Sequence, residues 1–303
     1  MEMSYAEVVA AAHADQRTLV EVEHLGDRAV LRLRDPDKLN VLSAPLMVQL
    51  LARAEELARD PRVRSIVLTG EGRAFCTGGD LRMMRTAVDR FSEADDREGA
   101  SLPWQWIRGQ FGAMVRLIGR TDKAFIAALN GPAAGVGLAF ALSCDLAIAS
   151  RNAVLVPAFG KLGLVPEVGT SWALTRALGY RGAFEYYVSG RQLTAERACA
   201  LGLVNEVVAA ERLMETALAW CDRISDLPPH ALAIAKPLLR SAADLSQEQS
   251  LTMEEFAEPI CFTTRGFADG VEQVIAQTSG AADPTAASGR NAATTGSAVK
   301  GSE

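Results

Sequence analysis

Two short loops decide the fold: Phe75-Cys76-Thr77-Gly78-Gly79-Asp80 and Asn130-Gly131-Pro132-Ala133-Ala134-Gly135-Val136-Gly137. Each follows an apolar run that reads as a buried strand, Arg64-Ser65-Ile66-Val67-Leu68-Thr69 before the first and Ala124-Phe125-Ile126-Ala127-Ala128-Leu129 before the second. Each leads into a helical pattern. A strand that stops at glycine and turns into a helix leaves backbone N–H groups without partners at the turn. Two such turns side by side offer converging donors, the arrangement that stabilises negative charge developing on an oxygen.

The bulk properties narrow the classes. The chain has 303 residues, 49% of them hydrophobic, enough for a sizeable core. No uninterrupted apolar run approaches the roughly 18–20 residues that span a bilayer, so no membrane partner is expected. Met1-Glu2-Met3-Ser4 has no basic n-region, which with reduced-looking cysteines gives a cytoplasmic expectation. A formal charge of −6 argues against nucleic acid as a partner. The five cysteines, at 76, 144, 199, 221 and 261, have no Cys-x-x-Cys spacing and read as core thiols. The three histidines, His13, His24 and His230, lie away from the glycine loops in sequence and have no ligand spacing. A Ser-His-Asp triad and a metal site are therefore not expected.

Outward from the loops, residues 1–16 read as an N-terminal extension, a frayed or loosely packed helix. Leu19–Glu23 and Ala29–Leu33 alternate around a Leu25-Gly26-Asp27 turn and predict a hairpin. Ser43 reads as the cap of a helix carrying Leu46, Met47, Leu50, Leu51, Ala54 and Leu57, stopped by Asp60-Pro61. Residues 83–110 break the rhythm and read as a long loop containing Trp104 and Trp106. Asp145–Ala149 is a further strand, and Phe159–Ser171 is a loop entering a helix. The repeated strand–turn–helix unit is an α/β signature. The expected organisation is a core over 17–207, a helical region over 208–277 that serves oligomerisation, and an Ala/Gly/Ser/Thr-rich disordered tail over 278–303.

These motifs resemble the crotonase superfamily, the enoyl-CoA hydratase/isomerase family, over residues 17–277. Besides the two loops, the resemblance rests on Asp37-Lys38-Leu39-Asn40-Val41-Leu42, Cys144-Asp145, Leu162-Gly163-Leu164-Val165-Pro166 and Ala200–Val208, in that order. It implies a right-handed spiral of ββα turns with a C-terminal helical region. It also implies acyl-CoA thioester substrates, no cofactor beyond the coenzyme A of the substrate, and a homotrimer or dimer of trimers. Carried over by position, the oxyanion donors are the backbone N–H groups of Gly79 and Val136. Cys76, Thr77, Gly78, Asp80, Leu81, Lys38, Ala139 and Phe159 fall on the substrate side. Lys38, Arg73 and Arg82 are candidates for the CoA phosphates, and ordinary solvated surface charge is their other reading.

The chain departs from the hydratase pattern at both acids. The resemblance places the first glutamate three residues beyond the second donor, where Ala139 stands, and the other eight residues before Glu167, where Phe159 stands. Neither side chain transfers a proton. Glu167 remains, at the position where single-glutamate enoyl-CoA isomerases carry theirs. Its other reading is a helix-start carboxylate held by the dipole and free N–H groups. Asp80 reads as a turn residue as well, and Cys76 has no adjacent histidine to activate it. The expectation is a single-glutamate enoyl-CoA isomerase. The alternatives are an atypical hydratase or dehydratase using Glu167 alone, and a catalytically silent crotonase-like binding subunit.

Overall fold

The computed structural model of the chain describes residues 4–86 and 101–280. The expected tail beyond Gly280 lies outside the described residues, as do residues 87–100 of the expected loop. Contacts divide the chain into two units, Met1–Ser246 and Gln247–Glu303.

The hairpin forms as read. Strand β1 (Val20–Leu25) pairs antiparallel with β2 (Arg28–Leu33), with Val22 opposite Leu31. Parallel pairing then runs from β2 to β3 (Ser65–Gly70), β4 (Ala124–Leu129), β6 (Leu146–Ser150) and β9 (Glu206–Val208). The sheet order is β1-β2-β3-β4-β6-β9. A smaller sheet joins β5 (Ala133–Ala134), β7 (Val154–Val156) and β8 (Leu193–Thr194).

Strands β3 and β4 are apolar almost throughout because both faces of the sheet are covered. Leu31, Ile66, Leu68, Phe125, Ala127 and Leu129 point to one core. Val30, Val67, Ala124, Ile126, Ala128 and Ile148 point to a second. The first core is closed by α1 (Tyr5–His13), α2 (Ala44–Arg59), α3 (Ser101–Trp106), α4 (Gly112–Arg120), α5 (Val136–Ser143) and the inner faces of α6 (Thr170–Ser189) and α7 (Ala195–Ala200). The second is closed by α8 (Leu213–Ser225), through Leu213, Ala217, Cys221 and Ile224. Each such fully buried aliphatic side chain contributes about 1.5–3 kcal/mol. Helix α9 (Pro229–Ala242) completes the unit, while α10 (Gln247–Phe262) and α11 (Arg265–Gly280) form the other.

Several expectations need correction. The core does not stop at residue 207, because α8 buries its apolar stripe on the back of the sheet. The N-terminal helix is not loose. Ser4 and Glu7 form a capping box, Ala12 is buried, and the Tyr5 ring meets Trp106 edge-on at 6.3 Å. The expected loop at 83–110 is helical from Ser101, and its Ile107–Phe111 segment is a π-helical turn. Ser43 sits at the α2 N-cap, but its side chain makes no capping hydrogen bond.

Candidate active site

The two glycine loops leave the C-terminal ends of β3 and β4, which are adjacent parallel strands. This is where parallel α/β sheets gather ligand-binding loops. The loops are stitched together through backbone. Phe75 and Cys76 N–H donate to the Pro132 carbonyl at 3.1 and 3.2 Å, and Ala134 N–H donates to the Cys76 carbonyl at 2.9 Å. The Asn130 side chain accepts from Gly70 N–H and donates to the Gly72 and Ala74 carbonyls. The early loop joins from the other side: Leu42 N–H donates to the Gly78 carbonyl at 2.8 Å, and Thr77 donates to the Leu39 carbonyl.

Two glycines are required by this closeness. Gly78 has φ +90°, and a Cβ there would stand 2.7 Å from the Ala134 oxygen and 3.3 Å from the Val136 nitrogen. A Cβ on Gly137 would stand 2.3 Å from the Cys76 oxygen. The Gly78-Gly79 segment thus lies directly against the start of α5. Val136 is the first residue of α5, after Gly135 at φ +53°. Among the described residues, neither the Gly79 nor the Val136 N–H donates to a protein acceptor. Two unused donors therefore sit on abutting segments, as an oxyanion hole requires.

Glu167 stands three residues before α6, on the loop that begins at Phe159, and α6 packs against α5. The α6 N-cap is Gly169, and the Glu167 side chain makes no capping hydrogen bond to this helix. The Glu167 carboxylate has no hydrogen-bond or ion-pair partner among the described residues. Burial raises its pKa above the usual glutamate value. The loop is fastened by the Leu162 and Leu164 N–H groups on the Phe159 carbonyl, both at 3.0 Å, and by Tyr187 Oη on the Leu164 carbonyl at 3.0 Å.

The remaining candidates divide. Ala139 and Phe159 are buried, at 1% and 3% exposure, so both positions hold apolar, proton-inert side chains. Cys76 is fully buried and its thiol is pushed up to about 12, which removes it as a nucleophile. Asp80 accepts the Arg82 N–H at 2.8 Å, a local turn bond. Leu81 is exposed. Lys38 is half-exposed and 3.8 Å from Asp35. Trp106 is core, edge-on to Tyr5 and Phe111, whereas Trp104 is exposed beneath the Arg108 guanidinium. The five cysteines are unpaired, and no cluster of metal-ligating side chains occurs among the described residues.

Sequence reading overlooked one supporting residue. Asn40 is fully buried with φ +54°. Its amide donates to the Glu71, Ala74 and Phe75 carbonyls and accepts the Asp35 N–H. A single polar residue between Leu39 and Val41-Leu42 was the signal available for it.

Solved structures share this architecture. An enoyl-CoA hydratase from Polaromonas sp. JS666 aligns with a TM-score of 0.76 at 28% identity, covering 85% of this chain and 97% of that one. A monofunctional enoyl-CoA isomerase from M. smegmatis aligns with a TM-score of 0.64 at 29% identity, covering 78% and 99%. Residues 27–271 match the enoyl-CoA hydratase/isomerase family, and the chain belongs to it. The 1,2-epoxyphenylacetyl-CoA isomerase of Escherichia coli K12 is 33% identical over 249 residues, 82% of this chain and 92% of that protein. The chain is thus an acyl-CoA thioester enzyme of the crotonase fold.

Proposed function

We propose that the protein is an enoyl-CoA isomerase that moves a double bond through a thioester enolate, with Glu167 as both base and acid. The observation that carries this is one half-buried, unpaired carboxylate beside two hydratase acid positions that are the buried Ala139 and Phe159. The Glu167 carboxylate takes a proton from C2 of a 3-enoyl thioester. The C–H electron pair moves into a dienolate whose charge rests on the thioester oxygen, held by the Gly79 and Val136 N–H groups. The same carboxyl returns the proton at C4, leaving the 2-enoyl isomer. Each oxyanion donor contributes about 3 kcal/mol. One proton moves and no electrons are exchanged, so the reaction draws on no cofactor beyond the coenzyme A of the substrate. Apolar walls at 139 and 159 work against water addition. In this reading Lys38 meets the CoA phosphates, residues 76–81 flank the thioester, and the chain works as a homotrimer or dimer of trimers. The isomerases among its relatives support the choice.

The test is to supply 3-enoyl-CoA and 2-enoyl-CoA separately and follow double-bond migration and hydration. Isomerisation lost in Glu167→Gln is the expected result. Hydration that depends on Glu167 would establish the atypical hydratase instead. Binding without turnover across a broad thioester panel would establish the silent subunit.

A further inference from the structure

Immediately after Glu167 the chain makes a four-residue turn whose shape is at odds with its sequence. The Thr170 N–H donates to the Glu167 carbonyl at 2.9 Å. Both central residues have positive φ, Val168 at +54° and Gly169 at +84°. Positive φ at both central positions is the type I′ arrangement, which favours Asn-Gly. Glycine supplies the second position here. The first holds valine, and a β-branched residue in the left-handed region is a genuine outlier. Only Leu39 and Asn40 also have positive φ among the described non-glycine residues, and they lie in the early loop whose Leu42 N–H holds the Gly78 carbonyl.

The strain is over-determined from outside. Tyr187 and the Phe159 carbonyl fix the chain before Glu167, and Gly169 begins α6 while facing Val115 of α4. The Val168 side chain is packed against the main core cluster. Strained backbone that the surroundings enforce clusters at active sites. Asparagine would suit this turn conformation better, but it would put a polar amide where valine packs on the core.

We propose that Val168 is a positioning residue for Glu167: its strained left-handed backbone, held by the packing of its side chain on the core, sets the direction of the carboxylate. This rests on the reading of Glu167 as the proton shuttle. Two variants test this. Val168→Asn relaxes the turn but gives up the core packing that fixes it, and Val168→Gly frees the backbone altogether. The expected result for both is a kcat for isomerisation of 3-enoyl-CoA lowered at least tenfold with KM within twofold of wild type. The melting temperature of Val168→Asn should not fall, because relief of backbone strain offsets the lost packing. A valine that only packs gives the opposite pattern, a lower melting temperature with kcat intact, and that result overturns the proposal. Glu167→Gln is run beside them. If it is inactive while the Val168 variants keep wild-type kcat, this proposal fails alone. If it retains full activity, or if wild type isomerises no substrate of the panel, the Glu167 assignment falls and this proposal with it.

Discussion

Glu167 connects burial to rate and stability through one equilibrium. Its folded-state pKa lies above the unfolded value, because burial disfavours the charged form. The fold therefore binds this proton more tightly than the unfolded chain does. The resulting stabilisation is present below the unfolded pKa and is lost as pH rises through the folded pKa. A base must be deprotonated, so kcat for isomerisation should rise with pH along a limb displaced above the roughly 4.3 of a free glutamate. A pH–kcat profile reads this directly. Glu167→Gln should lower kcat by about 10²–10⁴-fold and raise the melting temperature at pH 7–8. That gain should shrink toward pH 4, where wild type carries the neutral acid as well. Calorimetry at the two pH values checks the sign. An equal gain at both would show that the carboxylate is not desolvated in the folded protein.

The elements that hold the oxyanion loops are joined by backbone hydrogen bonds and by the side-chain amides of Asn40 and Asn130. Asn40→Gly keeps the left-handed backbone but removes the acceptor for Asp35 N–H and the donor shared by the Glu71, Ala74 and Phe75 carbonyls. Buried groups left unsatisfied cost about 1–3 kcal/mol each. The expected loss is about 3 kcal/mol in urea unfolding, with kcat falling because the chain leading into Gly78-Gly79 loses the amide that ties Ala74 and Phe75 to the early loop. The same elements show what sequence could reveal. β3 and β4 were legible because burial on both faces makes them continuous apolar runs, and the loops were legible because glycine marks close approach. β5, β7 and β8 have two or three residues each, too few for alternation to register. The 101–111 helical segment hid because a π turn shifts the helical phase, and Gly109 and Gln110 interrupt the apolar stripe. The packing of α1 was readable in principle, since Ser4 and Glu7 spell a capping box. The φ of Val168 was not, because tertiary contacts impose it against local preference.

At the scale of the molecule, the proposed oligomer gives a first check: light scattering should return about three or six times 32.3 kDa. A second concerns what ties α9 to the catalytic layer. Asp145 follows α5 and receives Lys236 at 2.8 Å, Arg240 at 2.7 Å and the Phe125 N–H at 2.8 Å. Lys236 is buried, and its ammonium also donates to the Lys123 carbonyl at 2.7 Å. Burial lowers the Lys236 pKa, so its charge depends on this surrounding. Removing one partner of a buried pair strands the other, whereas replacing both with apolar groups is often neutral. Asp145→Ala should therefore cost about 3–5 kcal/mol. Lys236→Met should cost less, because Arg240 and the Phe125 N–H still satisfy the carboxylate. The double variant Asp145→Leu/Lys236→Met should recover part of the loss, with a coupling of about 0.5–3 kcal/mol. Activity should not recover with it. The α5 segment whose first N–H is the proposed Val136 donor ends one residue before Cys144-Asp145, and Arg240 also grips the Ser143 carbonyl at 2.7 Å. Without Asp145 to hold Arg240 and the β4 backbone together, the C-terminal end of α5 loses its registration. A double variant as stable as wild type but with reduced kcat would show that the cluster sets the position of the oxyanion helix. Full activity in that variant would reduce it to a fastening for α9.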